Sequence, residues 1–469
     1  MSLLPFILPV LFLPAVVLAA SPSSPPHENA LRCLLSGMPR NRTSLLLTPA
    51  DSSSFTSTLN YSIRNSRFST SATPKPHLIV TPRQESHVQA AVVCARTHGL
   101  QIRVRSGGHD YEGLSYVSDV PFLLLDLINL QSVEVDTGNG TAWVGAGATI
   151  GSLYHAIARK SRTLGFPAGS CPTMGVGGHF SGGGYGTLLR KHGLAADHVI
   201  DARLVDVNGR VLDRQAMGED LFWAIRGGGA ASFGVITAWK VSLVPVPPTV
   251  TVFTLRRNLE QNATRLVHRW QHVAHRLPDD LFIRVIIDTG KSTGVQAAFD
   301  SLFLGGAEAL ESLMRERFPE LGLRRRECME MRWIDSVLYF AGFPTGDDGS
   351  VDVLLDRVPL SKPYFKAKSD YVREPIGEEG LGMIWSMFEA EEAEEALMIL
   401  SPYGGRMAEI SESAIPFPHR AGNLYKIQHM VNWEGKAASA PYIDWIRRLY
   451  TRMAPYVSKS PRAAYVNYR

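Results

Sequence analysis

The sequence predicts an α+β fold in two domains, and three observations carry that reading. Strand-like and helix-like patterns interleave along a chain of 469 residues, 45% hydrophobic and 20% charged, which is long enough for two or three sizeable cores. A stiff stretch, Pro245-Val-Pro-Pro248, divides the pattern. Ahead of it stand two glycine-rich loops, Arg105-Ser-Gly-Gly-His-Asp-Tyr111 and Gly169–Gly186, and seven glycines fall between Gly175 and Gly186. Glycine at that density lets backbone N–H groups approach a bound group and admits φ > 0. Such loops cannot pack a core. They suit wrapping a large, flat, charged ligand such as a dinucleotide.

Taken in order, residues 1–20 read as a secretory signal peptide: Leu3 to Ala20 is apolar and uncharged, and Val17-Leu-Ala-Ala20 offers a cleavage site of small side chains. Pro5, Pro9 and Pro14 argue against a spanning helix, and no later stretch approaches the ~20 apolar residues a span needs. Asn-x-Ser/Thr sequons at Asn41, Asn60, Asn139 and Asn262 point the same way, as glycosylation sites of a secreted chain. The net charge of +4 is small and the longest basic run is Arg324–Arg326, so no nucleic-acid partner is expected, nor a metal site.

After a turn-rich start, Ala30–Leu35 reads as helix and His77–Thr81 as a buried strand. Ser86–His98 is a helix because Val88, Ala91, Val92 and Ala95 recur at 3–4 spacing. Gln101–Arg105 is a strand delivering the His109 loop. Phe122–Asp126, Val133–Val135 and Ala142–Val144 are strands, and Ile150–Ser161 a helix. Val199–Val205 and Arg210–Leu212 flank Asp206-Val-Asn-Gly209, a hairpin signal. Asp220–Arg226 is a helix and Val235–Val244 a strand. Beyond the prolines, strands are expected at Val250–Arg256, Phe282–Ile287 and Gln296–Leu304. Helices are expected at Gln261–Arg276, Ala307–Arg317 and Glu330–Tyr339. The acidic run Glu389–Glu395 reads as a solvated helix face. Leu424–Trp433 is a strand, Pro441–Met453 a helix, and Ala464–Arg469 a final strand.

No Rossmann fingerprint is present. Gly145–Ile150, Gly175–Phe180 and Gly227–Ser232 each lack the third glycine at its offset, and there is no P-loop. Each glycine loop does carry a nucleophile, His109 in one and Cys171 in the other. Alone, His109 would read as a satisfied core histidine.

The wording of the loops, Ser-Gly-Gly-His then Cys-Pro-Thr with Gly-Val-Gly-Gly-His-Phe-Ser-Gly-Gly-Gly-Tyr-Gly, resembles the berberine bridge enzyme-like family of plant FAD-linked oxidoreductases. Pro402-Tyr-Gly-Gly-Arg406 and the 424–433 strand support it, and the resemblance runs from residue 30 to 469. It implies a PCMH-type FAD domain of the vanillyl-alcohol-oxidase fold over 73–247, preceded by a segment, 21–72, packed on it. A substrate domain over 248–423 would be an antiparallel sheet covered by helices, and 424–469 would return to the FAD domain. Family members run on past this point, so by the resemblance a closing C-terminal segment is expected to be missing or divergent here.

The resemblance further implies FAD bonded twice, through His109 at the 8α-methyl and Cys171 at C6 of the flavin ring. Arg105, Ser106, Gly107 and Gly108 would sit by the pyrophosphate, with Gly177, Gly178, Ser181 and Gly182 close to the cofactor. Met174 stands where family oxidases carry a small valine, so its bulk would hinder O₂. Cys33 and Cys94 are either buried thiols or a disulfide tying the first helix down; the resemblance implies the disulfide. Cys328 reads as a buried free thiol.

Tyr111, Tyr185, Lys426, Gln428 and Tyr468 match positions lining the substrate side in members acting on alcohols, although any one tyrosine alone reads as core. Lys426 and Gln428 share one strand face, whereas Tyr465 and Tyr468 would point to opposite faces of the last strand. Gln428 replaces a carboxylate of the alkaloid-cyclising members, which argues against berberine-bridge formation. The implied function is a secreted, extracellular or cell-wall enzyme oxidising an alcohol, either a monolignol-like allylic alcohol or a carbohydrate, by hydride transfer to flavin N5. Tyr468 would be the base, made acidic enough by Lys426, with Tyr465 as understudy. The electron acceptor would be O₂ or another small molecule. The rival expectations are oxidation of an alkaloid-like metabolite and a non-catalytic flavin-binding defence protein.

Overall fold

The computed structural model describes residues 25–38, 45–290, 294–346, 349–358, 361–435 and 439–468. The expected signal peptide and the Asn41 sequon lie outside them. The chain forms the α+β, two-lobed architecture expected, each lobe with its own apolar core.

The first lobe holds two sheets. In the first, strands Leu78–Val80, Phe122–Asp126 and Gln101–Arg105 run parallel, and Leu46–Leu47 adds an antiparallel edge. Helix Glu85–Thr97 is the crossover between two of them, and its predicted stripe, Val88, Ala91, Val92 and Ala95, is buried. Cys94 on this helix bonds Cys33 on helix Pro26–Gly37, with Cα atoms 5.7 Å apart. The second sheet is antiparallel, in the order Val133–Asp136, Thr141–Gly145, Val235–Ser242, Val199–Val205, Val211–Leu212. Its predicted hairpin turn is closed by the Asp206 carboxylate, which accepts from the N–H groups of Asn208 and Arg210.

The second lobe is a seven-stranded antiparallel sheet. Its order is Met329–Met331, Val250–Asn258, Gly294–Phe303, Leu281–Gly290, Ala396–Pro402, Tyr425–Trp433, Tyr364–Val372. Period-2 alternation sorts its side chains. Ile283, Val285, Met398, Leu400, Ile427 and Val431 enter the core beneath helices Ala263–Val273, Glu378–Phe388 and Ser439–Arg452. Their neighbours Phe282, Arg284, Ile399, Ser401, Gln428 and Met430 face the first lobe across a cavity.

Several expectations change. Val244–Pro245 is half inside a strand pair with Leu164–Gly165, so the proline stretch is anchored at its start. The expected helix at Glu330–Tyr339 begins late: Met329–Met331 is an edge strand on Val250–Val252, and the helix is Trp333–Ala341. The helix expected at Asp220–Arg226 follows a kink at Gly218 (φ 67°), and a separate helical turn precedes it from Arg214, where the Asp213 carboxylate caps the Ala216 N–H. The acidic run forms only the short turn Glu391–Ala393. A boundary at residue 424 would cut the large sheet, because Tyr425–Trp433 pairs on both sides within it. Gln428 and Met430 on that strand already line the cavity, and the last described stretch is a turn, Val466–Tyr468, rather than a strand.

Candidate active site

A cavity of about 880 Å³ opens between the lobes. The two glycine loops form one wall, and they cross backbone to backbone. A Cβ on Gly107 would stand 2.3 Å from the Gly175 nitrogen, and one on Gly175 would stand 2.2 Å from the Gly107 nitrogen. Gly108 has φ +70°, and a Cβ there would meet the Ser62 carbonyl at 1.8 Å. These contacts, rather than flexibility, require glycine. Ser106 fixes the crossing by donating to the Ala146 carbonyl.

The crossing brings the two nucleophiles to one hydroxyl. His109 Nε2 lies 3.0 Å and Cys171 Sγ 3.5 Å from Thr173 Oγ1. Burial, with the Arg64 guanidinium nearby, lowers the His109 pKa to about 3. The imidazole is therefore neutral at working pH and keeps a lone pair. Cys171 is exposed to the opening.

The wall fits a flavin dinucleotide. Gly178 and Gly229 line the cavity, and a Cβ on either would project into open space. Gly177, Ser181 and Met174 also line it, and the Ser181 carbonyl holds the N–H groups of Gly227 and Gly229. Two expected neighbours stand elsewhere. Arg105 is fully buried in a different place: its guanidinium binds the Asp126 carboxylate at 2.6 Å and the Thr58 and Leu59 carbonyls. Four of its five N–H groups are taken up there, and it does not line the cavity. Gly182 is the seat of the C-terminal turn, since a Cβ there would meet Asn467 Oδ1 at 2.2 Å.

The opposite wall gathers the predicted polar set. Gln428 Nε2 donates to the Tyr111 hydroxyl at 2.8 Å. The Tyr111 ring stacks on Tyr468 at 5.1 Å and 2°, and the Tyr468 and Tyr185 hydroxyls are 2.9 Å apart. Lys426 Nζ sits against the Tyr185 ring, 3.0 Å from its centroid, with the Tyr465 and Tyr468 centroids at 4.5 and 4.6 Å. The turn settles which tyrosine is free. The Tyr465 hydroxyl accepts from the Gly184 N–H and from Asn467 Nδ2, while the Tyr468 hydroxyl meets only another phenol.

The electrostatics depart from expectation. Burial raises the Tyr468 pKa well above its ordinary value, and the neighbouring phenols Tyr185, Tyr111 and Tyr465 add to this. Burial also lowers Lys426 well below the usual lysine value. Tyr111, Tyr185 and Tyr465 are raised chiefly by burial too. The isolated pocket thus favours neutral phenols, and Lys426 does not by itself make Tyr468 acidic.

The buried Ser369 hydroxyl clamps the C-terminal turn: it accepts from the Tyr465 N–H at 2.9 Å and donates to the Tyr468 carbonyl at 3.3 Å. Next to it, Asp370 takes Arg462 in two bonds of 2.7 Å. Sequence reasoning missed these residues, and also Arg284, whose cavity-lining guanidinium pairs with Asp300 at 3.0 Å. Arg284 and Asp300 are register partners on adjacent strands, and no local spacing signals that. Thr173 could have been found inside Cys-Pro-Thr. Asp110 is the only carboxylate lining the cavity among the described residues, and it is tied into its turn by the N–H groups of Glu112 and Leu114.

Among the described residues no helix is long and apolar enough to cross a membrane, and no three His, Cys, Asp or Glu side chains gather to hold a metal. Asn60, Asn139 and Asn262 are exposed, and Cys328 is a buried free thiol.

A family profile described as an FAD binding domain matches residues 76–214. Tetrahydroberberine oxidase of Berberis wilsoniae is 53% identical over 450 residues, 94% of this chain and 84% of that protein. The monolignol oxidoreductase AtBBE-like 13 of Arabidopsis thaliana is 51% identical over 439 residues, 90% of this chain and 82% of that one. Among solved structures, the grass pollen allergen Phl p 4, described as having glucose dehydrogenase activity, superposes with a TM-score of 0.88 at 46% identity, covering 94% of this chain and 88% of that one.

Proposed function

The chain belongs to the berberine bridge enzyme-like family of FAD-linked oxidoreductases, and from that premise we propose that it oxidises a neutral aromatic allylic alcohol on a flavin bonded to both His109 and Cys171. The observation carrying the reading is the wall opposite the glycine loops: phenols, an amide, apolar side chains and Arg284 already paired with Asp300, with no free carboxylate among the described residues. Its relatives are named for an alkaloid, a monolignol and a sugar, and the chemistry of the wall supports the second. A tertiary-amine alkaloid is cationic near neutral pH and would find no free carboxylate as counter-ion among the described residues lining the cavity. A polyol would leave hydroxyls against Phe282, Phe365, Ile399 and Met430. A flat alcohol with an apolar body and one hydroxyl leaves neither mismatch.

A flavin held between His109 and Cys171 would supply the acceptor for a hydride from the carbinol carbon. The chain's own groups do the rest. Gln428 and Tyr111, already hydrogen-bonded, orient the substrate hydroxyl. Tyr468, as its phenolate, takes the hydroxyl proton as the C–H bond breaks and becomes a neutral phenol; before that step the Tyr185 hydroxyl, 2.9 Å away, donates to the phenolate oxygen. Lys426 completes the unit: protonated, it is held by three ring faces and opposes the rise that burial imposes on Tyr468, favouring the phenolate that acts as the base. The neutral His109 imidazole and the Cys171 thiol, both beside Thr173 Oγ1, support attachment, and the bulk of Met174 in the same cavity supports poor access for O₂. Secretion and glycosylation complete the proposal, supported by the exposed sequons and the Cys33–Cys94 disulfide.

The test is anaerobic reduction of the bound flavin by a panel of cinnamyl-type alcohols, glucose and a tertiary-amine alkaloid. Fastest bleaching by the cinnamyl-type alcohols is expected. Bleaching by the amine alone, or by none of them, would overturn the proposal.

A further inference from the structure

Among the described residues four arginines are buried: Arg64, Arg105, Arg190 and Arg420. Arg105 pairs with Asp126 and Arg420 with Asp197. Arg190 gives its donors to five backbone carbonyls and lies near Asp279. Arg64 alone, 6% exposed, has no carboxylate at salt-bridge distance among the described residues. Its Nε donates to the Gly107 carbonyl at 3.2 Å, its Nη2 to the Arg357 carbonyl at 2.8 Å, and its Nη1 has no partner. Arg357 adds a second charge without a counter-ion, since its Nη1 and Nη2 go to Gln131 Oε1 and the Gly147 carbonyl. Burial lowers the Arg64 pKa, but a guanidinium starts so high that it stays charged.

A buried cation with no counter-ion costs several kcal/mol unless something supplies opposite charge. Arg64 lines the cavity and is bonded to the carbonyl of Gly107, two residues before His109. Hydride uptake, two electrons and one proton, leaves one additional negative charge on a neutral flavin ring. We infer that Arg64 is a fixed charge tuning the bound flavin, raising its midpoint potential by stabilising the reduced ring from inside the wall. This rests on attachment at His109 and Cys171, which brings the ring to the Gly107 crossing. A phosphate-binding role predicts something different, because phosphate charge is the same in both oxidation states. It would change cofactor capture and leave the potential alone.

The experiment uses purified holoenzyme of the unmodified protein, Arg64→Met, Arg64→Gln and Arg64→Lys. Covalent flavin is first scored by acid denaturation, and the midpoint potential is then measured by dye-coupled titration. Arg64→Met and Arg64→Gln should both shift to a lower potential, with Arg64→Lys close to the original. Unchanged potentials in the charge-removing variants overturn the inference. Loss of flavin with an unchanged potential in the retained fraction also overturns it, assigning Arg64 to the phosphates. Flavin released from the denatured unmodified protein would sink the attachment reading separately, and the potentials would still decide Arg64.

Discussion

Lys426→Met removes the one cation that touches three of the active-site phenols. Lys426 Nζ has no hydrogen-bond partner among the described residues and stands 3.0, 4.5 and 4.6 Å from the ring centroids of Tyr185, Tyr465 and Tyr468. Burial pulls its proton off, while each desolvated ring face returns roughly 2 kcal/mol to the charged form. If the rings hold the charge, it acts on any phenolate formed at Tyr468. At the 4.6 Å centroid distance and an effective dielectric of 20, that attraction is about 3.6 kcal/mol. At 1.36 kcal/mol per unit, this is a ceiling of roughly 2.6 pH units. The phenolic oxygen stands outside the ring, so a shift of about 1–2 units is expected. Below the pKa of the base the phenol keeps its proton and cannot accept another. Removing the cation raises that pKa, so the rate profile moves to higher pH and the rate near neutrality falls roughly 10- to 100-fold. The assay is stopped-flow flavin reduction under anaerobic conditions across roughly pH 6–10. An unmoved profile would mean that Lys426 is neutral in the working enzyme and that the charge argument is wrong.

Tyr468→Phe should slow flavin reduction by ~10²–10⁴ with a near-normal flavin spectrum. Tyr465→Phe should mainly cost stability, about 1–3 kcal/mol read as a lower Tm, because its hydroxyl satisfies Gly184 N–H and Asn467; equal rate losses in the two would contradict this division. Met174→Val should speed reoxidation of reduced flavin by air, and rapid reoxidation of the unmodified protein would remove Met174 as a barrier. Ser369→Ala should lower kcat more than it raises KM, by loosening the turn that carries Tyr468, with Ser369→Thr retaining most of the rate; a pure loss of Tm would make Ser369 merely structural.

Much of the first lobe was legible because its signals are local. The stripe on Glu85–Thr97 and the Asp206 turn are short-range patterns that the fold keeps. The glycine loops were legible for a similar reason, since the Gly107–Gly175 approach leaves no room for any other residue. Arg105 was misplaced because its sequence neighbours line the cavity, while its own partner, Asp126, belongs to the adjacent parallel strand. The last residues were misread as a strand because Tyr465-Val-Asn-Tyr468 alternates. What decides their form is Ser369, 96 and 99 residues away in the chain, which clamps both ends into a turn. The tyrosine electrostatics were beyond reach, since desolvation depends on how deeply the lobes enclose the pocket, and no spacing records that.

The central claim is that two glycine loops bring His109 and Cys171 to a single flavin. The direct measurement is the fate of the flavin on acid precipitation, in the unmodified protein, in His109→Ala and Cys171→Ala, and in the double variant. The account predicts flavin in the pellet for the unmodified protein and both single variants, and free FAD in the supernatant for the double variant alone. Flavin released from the unmodified protein, or retained by the double variant, would contradict it.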